Sequence, residues 1–173
     1  MKCTGVLLVA ALAAASPLGA QQKPFQLSLF NPVQIVPETQ GVSAVRLNVI
    51  YTRNTAVRAV DLGLGYNRTT GGPSQGVQWA LVTWNDGTFT GWQSGLAAIN
   101  VGKITGLQSG GFTSAHEGEG VQWGFVNTAQ NWNGLQLGFV NYTQRLHGVQ
   151  IGLVNIIKQG GVLPVLPIVN WSF

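Results

Sequence analysis

One unit of 14 or 15 residues is written again and again through this chain, and it limits the possible folds more than any other feature. The clearest copies are GVQWGFVN from Gly120, GLQLGFVN from Gly134 and GVQIGLVN from Gly148. Earlier copies are GVQWALVT from Gly76, GWQSGLAA from Gly91 and GLQSGGFT from Gly106. Two degenerate ones, AVRLNVIY from Ala44 and AVDLGLGY from Ala59, precede them. A short period of this kind is the mark of a repeat architecture, in which each unit buries a surface against its neighbours.

Within each copy, apolar residues alternate with others. Leu135, Leu137 and Phe139 share one side, and Gln136, Gly138 and Val140 the other. Val121, Trp123 and Phe125, or Val149, Ile151 and Leu153, repeat the pattern. A period of two means β-strand. A helix would need apolar residues three and four apart, and the recurring glycine would weaken it. Polar, turn-rich stretches such as Asn85-Asp86-Gly87 separate the strands. Phe25 to Ile35 and Leu163 to Phe173 read as flanking strands. The expectation is an all-β domain of about ten strands over residues 21–173.

Composition agrees. Charged residues are 8% of the chain, against about 25% in ordinary globular proteins. Apolar residues are 45%, too many for a disordered chain. The 24 glycines follow the repeat, without the triplet period of collagen. The net charge of +4 is spread thinly, with no basic cluster of the kind that binds nucleic acid.

Residues 1–20 read as a secretory signal peptide. Lys2 is the positive start, Val6 to Ala15 the apolar stretch, and Gly19-Ala20 the small residues before a cleavage point. The apolar run is shorter than the ~20 residues that span a bilayer. Cys3 is the one cysteine, so the mature chain would have no disulfide, thiolate metal site or cysteine nucleophile. An exported, cell-envelope protein, in the outer membrane or on the cell surface, is expected.

The repeat units, the stretch Arg46-Leu47-Asn48-Val49-Ile50-Tyr51 and the ending Leu163 to Phe173 (LPVLPIVNWSF) together resemble the bacterial "surface repeat" family. The resemblance covers about residues 25–173. It implies an exported envelope protein and carries no biochemical activity, cofactor or catalytic motif. Ser94, Ser109 and Gly111 depart from the pattern, standing where large apolar residues are expected.

Two architectures suit the same repeat. The leading one is an antiparallel outer-membrane β-barrel. A strand of about nine residues tilted ~45° rises ~21 Å, against an apolar band of ~25 Å. Apolar side chains would face lipid, and Gln and Gly the lumen. Lipid and the barrel-insertion machinery would be the partners. Val169, Trp171 and Phe173 would form a C-terminal insertion signal, and Trp84, Trp92 and Trp132 interfacial aromatics. The alternative is a short-coil β-solenoid, a soluble surface protein binding a partner or glycan. Its parallel stacking would line up Gln78, Gln93, Gln108, Gln122, Gln136 and Gln150 as one amide ladder, and Asn127, Asn141 and Asn155 as another. In a solenoid, Leu137 and Ile151 would be expected in the core.

Chemistry-bearing residues are few. Asp61 takes the glutamine position of its copy and Arg46 the same position one copy earlier, which predicts an ion pair, lumenal in a barrel. His116, Glu117 and Glu119 read as a solvated loop, and His147 as a turn residue. No nucleophile elbow and no phosphate-binding glycine motif is present. The reading is a non-enzymatic protein with no cofactor, no metal and no catalytic residues.

Overall fold

The computed structural model describes residues 22–173. The signal-peptide reading of residues 1–20 lies outside them. All regular structure among the described residues is β-strand. The chain winds as a β-solenoid of stacked coils, and the barrel is corrected.

The first coils show the winding most plainly. One side of the solenoid is built by β1 (Lys23–Phe30), β3 (Val42–Asn48), β5 (Arg58–Gly63) and β7 (Ser74–Trp79), and the other by β4 (Tyr51–Asn54), β6 (Tyr66–Thr69) and β8 (Val82–Asn85). Each odd strand pairs in parallel with the odd strand of the next coil, and each even strand likewise. From Phe89 the corners become extended too. Two long runs, β9 (Phe89–Leu137) and β10 (Val140–Gln159), then pass through several coils without interruption.

The register explains why the copies are so alike. Gly134 lies opposite Gly148, Gln136 opposite Gln150, and Asn127 opposite Asn141. An antiparallel meander would put each residue opposite an unlike one. Parallel stacking with no offset puts it opposite its own copy, about 4.8 Å away. A buried amide then meets an identical amide with a free oxygen, which satisfies both.

Glycine marks the start of each well-formed copy for a steric reason. At Gly134 φ is +129°, a conformation that side-chain-bearing residues avoid, and a Cβ there would lie 2.1 Å from the Gly120 carbonyl oxygen. Ala59 takes the same place in an early copy and keeps a positive φ of 83°.

The ends are closed differently. At the N-terminal end β1 pairs in parallel with β3 and is flanked by the short antiparallel β2 (Val33–Gln34). At the other end β11 (Val165–Ser172) turns back antiparallel on β10, with Val169 opposite Ile151 and Trp171 opposite Val149. Both leave the last coil less exposed as a sheet edge.

The interior is mostly polar. The six repeat glutamines are buried on the inner side of the first sheet. Gln108 donates to Gln93 at 3.1 Å, Gln122 to Gln108 at 2.8 Å and Gln150 to Gln136 at 2.7 Å, and Gln136 donates to Gln122. Asn127, Asn141 and Asn155 form a second ladder on the opposite wall, at 2.8 Å per step. The glutamine amides donate toward the N-terminus and the asparagine amides toward the C-terminus, so the two ladders run with opposed polarity. An apolar lane fills one corner with Phe89, Ile104, Trp132 and Leu146.

Candidate functional site: an outward apolar surface with a glycine-floored trough

Because the odd positions of each copy point in with glutamine, the alternating apolar positions must point out. Trp123, Phe125 and Leu153 are each 64% exposed. Leu27, Leu47, Leu62 and Trp79 continue the same side of the sheet toward the N-terminal end. The solenoid expectation for Leu137 and Ile151 is therefore corrected. Ile151 is exposed and Leu137 half-buried on the outer surface, because buried glutamine leaves them no room inside. Away from this side the later coils carry exposed Glu117, Glu119, Gln130, Gln144 and Arg145, with Val101 and Val154 also exposed.

The apolar surface is not flat. Between Trp123, Leu137 and Ile151 on one wall and Phe125, Phe139 and Leu153 on the other runs a trough of about 660 Å³. Phe125 and Phe139 stack with centroids 5.2 Å apart. The floor is a lane of glycines, Gly110, Gly124, Gly138 and Gly152. Steric need keeps it bare: a Cβ at Gly152 would lie 2.0 Å from the carbonyl oxygen of Gly138.

The ends of the trough differ. At one end Ser109 and Ser94 lower the wall between the large Trp123 and Trp79 of the same lane. Trp92 Nε1 donates to Ser109 Oγ at 2.8 Å, and Ser109 Oγ donates to Ser94 Oγ at 3.0 Å. The two serines that break the repeat pattern thus form one hydroxyl relay. At the other end stands Ile168, 70% exposed and held at φ +68°. A β-branched residue at positive φ is a true outlier, and such strain gathers where surrounding structure imposes a position.

The residues singled out from sequence fall in separate places. Arg46 and Asp61 meet inside the core, Nε to Oδ1 at 2.7 Å and Nη2 to Oδ2 at 2.6 Å, and no lumen is there for them to line. Trp132 is buried in the apolar corner, its ring lying over Gly118, which corrects its assignment as an interfacial aromatic. Trp84 is half-buried on the second sheet, donating to Asp86 at 2.6 Å with the Arg68 guanidinium over its ring. Trp92 alone of the three borders the trough's polar end. Val169, Trp171 and Phe173 belong to the closing turn of the solenoid, where Phe173 meets His147 edge-on at 6.0 Å.

Glu117 and Glu119 flank the buried Gly118 away from the apolar side, and among the described residues no group of three or more acidic, histidine or cysteine residues could hold a metal. Burial raises the Tyr66 phenol above its ordinary range, against the opposing pull of Arg68. The hydrogen bond that the Arg68 guanidinium donates to the Asp86 carboxylate raises the Arg68 pKa. Both belong to a surface ladder on the second sheet, away from the trough.

Sequence reasoning noted Ser94 and Ser109 as departures without a role. It missed the trough because a glycine lane becomes a floor only once the coils are stacked. Ile168 carried no signal, since nothing in an Ile-Val pair marks a positive φ. No family model matches the chain, and no curated protein or solved structure matches it either.

Proposed function

We propose that this chain is an exported, non-enzymatic binding scaffold of the bacterial envelope, a β-solenoid that docks a partner through its outward apolar side. One observation carries the reading: the polar residues are spent in the core, and the apolar ones, Trp123, Phe125 and Leu153 among them, are displayed. Soluble proteins rarely expose a contiguous apolar patch beyond a few hundred Å² unless it is used. A chain that needed only to fold could have placed these side chains inside. The leader-like start of the sequence and the resemblance to exported repeat proteins support the envelope address.

A glycan partner is less well supported. Sugar sites combine aromatic faces with several polar groups, and the trough offers a single hydroxyl relay at one end.

The test is cell fractionation of the wild-type chain and of Trp123→Gln/Phe125→Gln/Leu153→Gln. The wild type is expected with the envelope after removal of the leader. The variant is expected to be released while keeping its melting curve. Wild-type protein found in the cytoplasm with its leader intact would overturn the address. Equal retention of the variant would overturn the apolar side as the docking surface.

A further inference from the structure

We infer that the trough is a binding site for the single alkyl chain of a fatty acid, with the tail along the glycine floor and the carboxylate at Ser94. This rests on the binding-scaffold reading above and adds a small-molecule ligand to the same apolar side, distinct from the partner that retains the chain in the envelope.

The chemistry of the trough selects the tail. From Ser109 to Ile168 the walls are aliphatic and aromatic, and the floor is backbone. That backbone is already paired coil to coil in the parallel ladder, as at Gln136 opposite Gln150. A peptide strand laid here would find no partner for its amides, and unpaired buried amides are costly. A second copy of this chain, meeting it sheet to sheet, would leave the trough unfilled. An alkyl chain has no polar group along its length and is one methylene wide. The glycine floor crosses three coil steps of about 4.8 Å, and the coil of Ser94 lies one step beyond it, so head to far end is ~19 Å, the scale of a long-chain fatty acid. Its volume of about 660 Å³ lies within the usual range of ~300–1,000 Å³ for small-molecule sites.

The ends select the orientation. Trp92 donates to Ser109, and Ser109 to Ser94. The two hydroxyls lie 3.0 Å apart, and either can turn its proton outward to a head group. A hydroxyl donor at the end of an apolar trough suits a carboxylate. Ile168 stands across the other end in its strained conformation and stops the tail there. These are also the places where the chain departs from its repeat. Ser94 and Ser109 replace the large residues found at Trp79 and Trp123, and Ile168 breaks the register between Gly152 and Asn155.

The test is titration of the full chain with the fluorescent fatty acid cis-parinaric acid, kept below the concentration at which it aggregates. Saturable enhancement, displaced by palmitate, is expected, and its absence overturns the proposal. Leu137→Glu/Phe139→Glu should weaken binding at least about tenfold. Leu29→Glu, in the separate cleft lined by Leu27, Val33 and Ile35, should change nothing. The reverse outcome overturns the location. Should the double variant lose its fold, Ser109→Trp gives the same test, because Trp123 shows that the lane accepts that side chain. Ser94→Ala should weaken binding about tenfold, the loss of one hydrogen bond to a charged group, and unchanged affinity overturns the head-group assignment.

Phosphatidylglycerol vesicles provide the last arm. The protein should stay in the supernatant while binding the free fatty acid, and sedimentation with vesicles without fatty-acid binding would assign the apolar side to a membrane surface instead. Retention in the envelope without fatty-acid binding would overturn this inference and leave the scaffold reading standing.

Discussion

Arg46 grips Asp61 through two hydrogen bonds inside the glutamine lane, where neither side chain reaches solvent. Asp61 also accepts from Asn67 and Gln78, both at 2.8 Å, and Arg46 donates to the Arg68 carbonyl at 2.9 Å. The pair occupies the positions that glutamines hold in later coils. It therefore replaces two rungs of a neutral ladder with one ionic rung, fully partnered on both sides. A buried ion pair is weak evidence of added stability, since its desolvation cost rivals its attraction. What it does supply is register: an arginine fits opposite the aspartate and not opposite a shifted glutamine.

Asp61→Ala should accordingly cost about 3–5 kcal/mol, because it strands the Arg46 charge in the core. The double variant Arg46→Gln/Asp61→Gln should recover most of that loss by extending the glutamine ladder. Reversible urea unfolding of Arg46→Gln, Asp61→Gln and the double gives the coupling directly. A double variant as damaged as Asp61→Ala would show that the ladder cannot be extended into these coils.

Gln122 tests the ladder in its regular part. It donates to Gln108 and to the Thr128 carbonyl, and accepts from Gln136. Gln122→Leu keeps the volume but strips the Gln108 oxygen and the Gln136 amide of their side-chain partner. Each orphaned buried group costs about 1–3 kcal/mol, so a loss of roughly 2–6 kcal/mol is expected from denaturant unfolding. A near-neutral result would mean that packing, and not amide pairing, holds these coils together.

Much of this arrangement was legible before any coordinates. Period-two alternation identified strands, and recurrence of glutamine and asparagine at fixed positions identified two ladders. Even the facing was right in the barrel reading, which pointed Gln136 inward and Leu137 outward. Alternation cannot tell closure from stacking, because both give a sheet with two unlike sides. The deciding fact is that Gln136 lies opposite Gln150 in parallel. Trp132 was misplaced because it lies in a less regular stretch of its copy, and only stacking reveals that Gly118 makes room for its ring. The trough depends on Gly124, Gly138 and Gly152 coming into line, a relation between copies that no single copy contains.

The outward facing has a mechanical consequence. Leu137→Ala and Ile151→Ala remove side chains that are half-buried and exposed respectively, so neither leaves an enclosed cavity. Each should cost about 1 kcal/mol or less, the value of the few methylenes still shielded from water. A buried aliphatic in a core would cost about 2–5 kcal/mol. Thermal unfolding in buffer without lipid or detergent measures the difference. Losses of core size in both variants would return these side chains to the interior and contradict the polar core.

Ala59 and Gly134 stand at the same place in their copies and report on the same backbone requirement from opposite sides. Ala59 is exposed and sits at φ +83°, with its carbonyl oxygen where a Cβ on Gly76 of the next coil would strike it. A left-handed conformation costs a side-chain-bearing residue about 1–2 kcal/mol. Glycine removes that strain and adds about 0.5–1 kcal/mol of unfolded-state entropy. Ala59→Gly should therefore stabilise the protein by about 0.5–1 kcal/mol. Gly134→Ala meets both obstacles together, a φ of +129° and a Cβ 2.1 Å from the Gly120 carbonyl oxygen. Its coil has to separate from the one before it, opening the Gln136 and Gln122 pairing as well, so a loss above about 3 kcal/mol is expected. Melting temperatures of the two variants should move in opposite directions. If Gly134→Ala were tolerated as readily as Ala59→Gly, the glycine at the head of each copy would reflect duplication alone and not the geometry of the stack.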